Sequence, residues 1–259
     1  MIDKTEAIVL KITPYSRTSH VVAWLTPKHG RLTTVVKGAC RPRSPFLGQY
    51  DLFYTCELLY YTKERNGIHI ARECSPLDMR KHIRSNWRTF ACASYICDLI
   101  FTVSTRGGHE PELYGFASDC LDFLCRNQAK QQLLLWFELR LAGLIGLAPQ
   151  FTKCVVCDSL LPVSGSVRFS ASKGGTVCAQ CCRNGGVAPV DLPPDVLALF
   201  RSWQAAESPR LVRNTQCSSE QLSTSRNILG MFLRYHLETA NIPASREIAF
   251  ELMMSFRNA

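Results

Sequence analysis

Two cysteine pairs, Cys154-Val-Val-Cys157 and Cys178-Ala-Gln-Cys181, constrain this chain more than any other feature. A CxxC turn aims two sulfurs at one point, and a connecting stretch of this length folds the second pair onto the first. Four thiolates so arranged are what a tetrahedral Zn²⁺ site requires, and no histidine lies between Cys154 and Cys182 to replace one. The set is saturated, with no position left for water or substrate, so it predicts one structural ion and not a catalytic one. Cys182 offers a competing sulfur, although Cys178 and Cys181 keep the CxxC turn. The rival reading is a cluster of free thiols, because the chain holds 13 cysteines.

A chain of 259 residues suffices for one or two domains with a sizeable core. Hydrophobic residues make up 46% and the mean hydropathy is close to zero, the balance of a globular protein. No apolar run approaches the ~20 residues of a membrane span; the best stretch, 133–147, is broken by Glu138 and Arg140. The opening Met-Ile-Asp-Lys-Thr-Glu places acids where an export signal needs a basic and then an apolar run. The expected compartment is the cytosol, where cysteines serve as thiols and metal ligands, not as a disulfide framework.

Charge is unevenly placed. Between residues 7 and 50 lie Lys11, Arg17, Lys28, Arg31, Lys37, Arg41 and Arg43 and no acid, so this segment carries +7 of the net +9. A one-signed block on a foldable segment points to a polyanion, most often nucleic acid. The competing reading is a solvated basic face that serves solubility. A membrane surface fits less well, because no amphipathic basic helix accompanies the charge.

The same segment reads as β-structure. Stretches 6–12, 19–26, 31–37, 52–62 and 67–73 are rich in Val, Ile, Thr and Tyr. Turn chemistry separates them: Thr13-Pro14-Tyr15-Ser16, Pro27-Lys28-His29-Gly30 and Glu64-Arg65-Asn66-Gly67. Five short strands with tight turns suit a small barrel such as an OB-fold. In the third strand Leu32, Thr34 and Val36 should face one way and Arg31, Thr33, Val35 and Lys37 the other. The Gly/Pro-rich loop after it carries Lys37, Arg41 and Arg43. Barrels that bind single strands add aromatic rings on which bases stack. Trp24 and Phe53, embedded in strands, read as core, whereas Tyr15 and Phe46, in expected loops, are the stacking candidates.

Beyond the barrel the period becomes helical. Ser75-Pro76-Leu77-Asp78 has the chemistry of a helix start, followed by an apolar stripe at Ile83, Trp87, Phe90, Cys97 and Phe101. Further helices are expected over 111–126, 130–147, 195–206, 219–239 and 244–256. The expected fold class is α+β and multidomain. A five-stranded OB-fold β-barrel over 1–77 precedes an all-α helical domain over 78–259, which a four-cysteine zinc-binding insertion interrupts at about 150–190.

Taken together these residues resemble the RecO family of bacterial recombination mediators. The matching pieces are Ala7-Ile-Val-Leu10, Leu25-Thr26 with Gly30, Lys37-Gly-Ala39 with Arg41-Pro-Arg-Ser44, and Phe137-Glu-Leu-Arg-Leu141 leading to Gly146-Leu-Ala-Pro149, with the CxxC pairs following. Two departures stand out: Ser16-Arg17-Thr18-Ser19 where relatives often carry an acid, and Cys40 where a basic residue is common. The resemblance implies an N-terminal OB-fold that binds single- and double-stranded DNA, a helical domain bearing zinc, and a role in recombinational repair at the bacterial nucleoid. Such proteins anneal complementary strands, work with RecR to load RecA onto single strands coated by SSB, and dock on SSB's acidic C-terminal tail; RecF is a further candidate partner. An acidic tail with an apolar end needs a cation beside an apolar groove. Leu133, Phe137 and Leu141 with Arg140 form the candidate, against the reading that they are core and Arg140 pairs with Glu138.

No Gly-rich phosphate loop, HExxH, GxSxG or two-metal carboxylate cluster is present, so an enzyme is not expected. A catalytic thiol would need a base, which the sequence does not supply. The alternative function is a zinc-containing regulator or RNA-binding adaptor in which Lys153, Arg168, Lys173 and Arg183 of the insertion touch nucleic acid.

Overall fold

The computed structural model describes residues 1–62, 67–161, 167–183, 189–237 and 242–254. Five strands come first: β1 (Ile2–Ser16), β2 (Ser19–Thr26), β3 (Gly30–Val36), β4 (Thr55–Tyr61) and β5 (His69–Asp78). They close into a barrel in the order β1-β2-β3-β5-β4, the topology of an OB-fold. All neighbours are antiparallel except β3 and β5. The alternation expected of β3 is observed: Leu32, Thr34 and Val36 are buried while Arg31, Thr33 and Val35 are half-buried. Trp24 and Phe53 are fully buried, and the Trp24 indole N–H donates to Thr34 Oγ1 at 2.9 Å. At the β2–β3 turn Gly30 has φ +52°, and a Cβ there would lie 2.7 Å from the Thr105 carbonyl, so the turn admits glycine alone without strain. Of the expected Glu64-Arg65-Asn66-Gly67 hairpin turn, only Gly67 lies within the described residues.

The helix expected to start at Ser75 does not. β5 runs on to Asp78, pairing Asp78 with Thr55 and Pro76 with Cys56 across a register shift, where proline's missing N–H is tolerated. Helix α1 (Lys81–Arg84) begins later, and α2 (Trp87–Val103) is capped by the Asn86 side chain, which accepts from the backbone N–H of Arg88 and Thr89. The stripe expected on α2 is only partly its buried face. Trp87 and Phe90 are exposed, while Cys92, Ala93, Tyr95, Ile96, Leu99 and Ile100 are buried. α3 (Pro111–Arg126) has the expected bounds.

The remaining elements are α4 (Gln131–Leu144), β6 (Val167–Ser170), β7 (Gly175–Cys178), α5 (Ala179–Arg183), β8 (Val190–Leu192), α6 (Pro194–Ala205), α7 (Pro209–Arg213), α8 (Ser219–His236) and α9 (Ser245–Met254). By packing, the chain divides into two compact units, Met1–Ala129 with Ser245–Ala259, and Lys130–Ala244. The barrel thus shares its unit with α1–α3 and α9, whereas chain order alone suggested a break near residue 77.

In the first unit the guanidinium of Arg80, 4% exposed, joins the barrel to α3. It donates to the Phe53 carbonyl, Thr55 Oγ1, Ser118 Oγ and Asp122 Oδ1. In the second unit, packed rings connect the cysteine-bearing module to its helices: Phe151 stacks on Phe169 at 5.8 Å and on Phe200 at 4.9 Å, and Phe169 is tilted against Phe232 at 6.1 Å. No helix among the described residues is long and apolar enough to cross a membrane.

Candidate nucleic-acid interface and metal centre

The fold sorts the seven cations of the acid-free segment. Arg17 lies in the β1–β2 turn, and Lys37, Arg41 and Arg43 follow β3, whose Val36 pairs with His20 next to that turn. The Cys40 N–H donates to the Thr18 carbonyl at 3.1 Å, and the Gly38 N–H to Ser19 Oγ at 3.3 Å. The post-β3 loop is thereby held against the β1–β2 turn, so these four cations share one end of the barrel. All four are exposed, and none is held in an ion pair among the described residues. The barrel's acids are engaged elsewhere: Glu57 with Lys4, Glu73 with Arg72, Asp51 with Arg84, and Glu6 with the Tyr114 hydroxyl. A net positive field therefore remains at this end.

The other three cations sit apart. Lys28 is in the β2–β3 turn at the opposite end of β2. Lys11 is exposed with its Nζ 5.2 Å from the centre of the Phe101 ring. Arg31 differs most from expectation: it is half-buried, its guanidinium lies 4.5 Å over Phe101, and its Nη1 donates to the Phe101 carbonyl. That cation is committed to α2 and is not presented to a ligand.

Of the two stacking candidates, Tyr15 is 66% exposed near the cationic end, although it belongs to β1 and not to a loop. Phe46 is a correction. At 8% exposure it plugs the barrel core with Ala39, Trp24 and Val36, because the loop that carries it folds back over the barrel. The candidate tail groove is corrected likewise. Leu133, Phe137 and Leu141 are at most 3% exposed, inside an α4 whose residues 133–139 are all buried, so they are core and no open groove.

The cysteine quartet is assembled as the spacing required. Cys154 begins a tight knuckle in which its N–H donates to the Ser159 carbonyl and its own carbonyl accepts from the Asp158 N–H, with Asp158 at φ +57°. Cys178 closes β7 and Cys181 lies in α5. Gly175 lets β7 approach this knuckle, since a Cβ there would fall 2.5 Å from the Gln150 carbonyl. The four Sγ atoms lie within 4.8 Å of one another, and Cys182 is not among them. A tetrahedral ion bound at a Zn–S distance of about 2.3 Å needs sulfurs about 3.8 Å apart, and Cys157 Sγ and Cys178 Sγ are 3.8 Å apart.

The protonation chemistry agrees with a cation site. Burial pushes the Cys154 thiol up, but the backbone N–H groups of Cys178, Cys157 and Val156 outweigh it and bring it down to about 6. Hydrogen bonds from Ser159 lower Cys157. Cys181, crowded by the sulfurs of Cys157 and Cys178, is pushed up to about 12. Four thiolates cannot ionise together at this spacing without a cation among them. The residues present fit a metal ion.

Around the quartet the insertion's positive charge is partly cancelled. Lys153 pairs with Asp158 at 3.3 Å and Arg168 with Asp191 at 3.0 Å. These pairs weaken the reading in which the insertion is the nucleic-acid surface.

Comparison with known families settles the kinship. Residues 1–80 match the family model described as "Recombination protein O N terminal", and residues 84–246 that of "Recombination protein O C terminal". The chain belongs to the RecO family. One relative, "DNA repair protein RecO" of Syntrophus aciditrophicus (strain SB), is 28% identical over 241 residues that cover 90% of each chain. A second RecO, from Alkaliphilus metalliredigens (strain QYMF), is 24% identical over 96% of this chain and 99% of its own. A third, from Roseiflexus sp. (strain RS-1), is 28% identical over 91% of this chain and 81% of its own. The boundary between the two RecO family models falls at Arg80–Arg84, where the barrel gives way to the first helices.

Two arrangements carry no signal in the sequence. One is the Arg80 hub, whose partners are spread over some seventy positions. The other is a contact between Cys40, His20 and Tyr50, which the fold alone brings together.

Proposed function

We propose that this RecO family member is a non-enzymatic recombination mediator that binds single- and double-stranded DNA without sequence preference. The observation that carries the reading is the set of Arg17, Lys37, Arg41 and Arg43 at one end of the barrel, exposed and not ion-paired among the described residues. Such cations neutralise phosphates and release counterions, which gives affinity without base readout. Two polyanionic strands held on one basic surface keep their base edges free, and annealing follows. The relatives' description as DNA repair proteins supports the same direction.

In this reading one zinc ion occupies Cys154, Cys157, Cys178 and Cys181 and supplies no chemistry beyond bracing its module. RecR, RecA, RecF and the acidic tail of SSB are the proposed protein partners, and the site of action is the bacterial cytoplasm at the nucleoid. The α4 core face is not offered as the tail's groove.

The test is annealing of complementary oligonucleotides by the intact protein and by a Lys37→Glu, Arg41→Glu, Arg43→Glu variant. Loss of annealing with unchanged thermal stability is expected. Unchanged annealing would remove the barrel end as the DNA surface.

A further inference from the structure

Most of the thirteen cysteines are accounted for by burial or by the metal quartet. Cys56, Cys74, Cys92, Cys97 and Cys120 are buried, and burial pushes the thiols of Cys92, Cys97 and Cys120 upward, making them poor nucleophiles. Cys125 and Cys217 are half-buried and raised for the same reason. Cys40 and Cys157 are the exposed ones, and Cys157 belongs to the quartet.

Cys40 also has what the sequence could not supply, a base. Its Sγ lies 3.2 Å from His20 Nε2, and His20 Nδ1 lies 2.7 Å from the Tyr50 hydroxyl. Tyr50 is braced in turn, edge-on to His20 with ring centres 6.1 Å apart and tilted against buried Trp24 at 6.0 Å. Neither partner hangs on a free loop. His20 is in β2, paired with Val36, and the backbone of Cys40 is tied to Thr18. The order of nucleophile, base and orienting group is that of an activated side chain. A cleft of 360 Å³, lined by Ile12, His20, Ala39, Phe46 and Tyr50 among others, opens beside the imidazole. The surrounding surface carries the cations Arg17, Lys37, Arg41 and Arg43.

We propose that Cys40 is a reactive thiol, with His20 as its base and Tyr50 as a positioning residue, that takes up one half of a small anionic disulfide. With Nδ1–H donating to the Tyr50 oxygen, Nε2 is free to accept the Cys40 proton. The sulfur then attacks one sulfur of the disulfide: the Cys40 S–S bond forms, the original S–S bond breaks, and the leaving thiolate carries off the electron pair and recovers the proton from the imidazolium. One disulfide is consumed and one is made, so no further oxidant is needed. The cations select an anionic partner, and the cleft accommodates its organic body.

The experiment uses the full chain with its metal in place and dithiobis(nitrobenzoate), an anionic aromatic disulfide, as the probe. Released thionitrobenzoate is followed by absorbance and the labelled cysteine is located by peptide mass. The expected result is a fast phase of one equivalent on Cys40 that is absent from Cys40→Ser. It is slowed roughly tenfold in His20→Asn, as loss of the base predicts. Added salt should slow this phase, yet leave the reaction with uncharged dithiodipyridine unchanged. If His20→Asn fails to fold, the comparison within the wild-type protein still decides. Labelling of Cys40 no faster than Cys217, or a Cys40 rate indifferent to His20→Gln in a folded variant, would overturn the proposal.

Discussion

Arg80 donates through Nε to Asp122 Oδ1 at 2.6 Å, and this bond is one arm of a guanidinium whose remaining donors satisfy Phe53, Thr55 and Ser118. The arginine is buried in a left-handed conformation at φ +42°, at the junction between barrel and helices. Removing it leaves a buried carbonyl and a buried hydroxyl without a donor, while Asp122, 37% exposed on its side chain, can still be hydrated. Arg80→Ala should therefore cost about 2–4 kcal/mol, below the full penalty for breaking a completely buried pair. A urea unfolding curve measures it. A change within error of zero would mean that the hub is not needed for stability.

The sorting of the cations predicts unequal effects on DNA. Arg41→Gln removes one charge that can neutralise a phosphate, and should flatten the salt dependence of single-strand affinity by about 0.7 in slope. Arg31→Gln should leave that slope unchanged and lower stability instead, because its guanidinium is held by Phe101. Titrations at several salt concentrations separate the two. About five phosphates neutralised in all would give a slope near −3.5 on single strands.

The two aromatic candidates should part company in the same way. Phe46→Ala opens a hole in the barrel core and should destabilise the fold by about 3–5 kcal/mol. Tyr15→Ala should leave the melting temperature in place and weaken single-strand binding by about 1–3 kcal/mol if bases stack on the ring. Thermal melts paired with fluorescence titrations check both.

Chelation of the metal, or Cys154→Ser, should loosen the module between α4 and α6. The site's ligands are mutually repulsive once ionised, so metal binding and folding are coupled, and the loss should be on the order of several kcal/mol. Hydrogen exchange should rise first at the amides of Cys154, Thr176 and Cys178, which donate to the Ser159 carbonyl, the Gln150 carbonyl and Cys154 Sγ within the cysteine-bearing module. Unaltered exchange after complete metal removal would refute the coupling.

His69 gives a pH signature. Burial, then the neighbouring His29, lower its pKa below the ordinary histidine value of 6.5, against a smaller pull upward from Asp3. The folded chain thus binds fewer protons at this site than the unfolded chain just below pH 6.5. The contribution is fully present above 6.5 and is lost as pH falls through the folded value. His69→Gln should flatten the decline of stability in that window, measured as urea midpoints against pH.

Much of the fold was legible because local and global preferences agree. Alternation in β3, Pro111 at the first turn of α3 and the two CxxC turns each mean the same thing in isolation and in the folded chain. Where the reading failed, long-range packing overrode a local signal. Ser75-Pro76-Leu77-Asp78 has good capping chemistry, yet pairing with β4 keeps it extended. Phe46 lies in a loop by composition, but that loop folds inward. The apolar face of α4 resembled a groove because a one-dimensional pattern cannot distinguish a covered face from an open one. Cys40 and His20, twenty positions apart, meet through the twist of a strand and a turn, which no spacing rule anticipates.

The seam between β3 and β5 has a mechanical consequence. The described pairing there is Thr34 with His69 and Val35 with Ile70, whereas β1 and β4 share seven paired positions. A ring parts where its links are fewest, so thermal breathing of the barrel should begin at this parallel join. Each opening would bare two ladder edges that the closed form hides, turning a sealed cylinder into a sheet that another strand could extend. A staple across this seam, at Thr34–His69 or Val35–Ile70, is thus the modification best placed to make the barrel resist aggregation on heating.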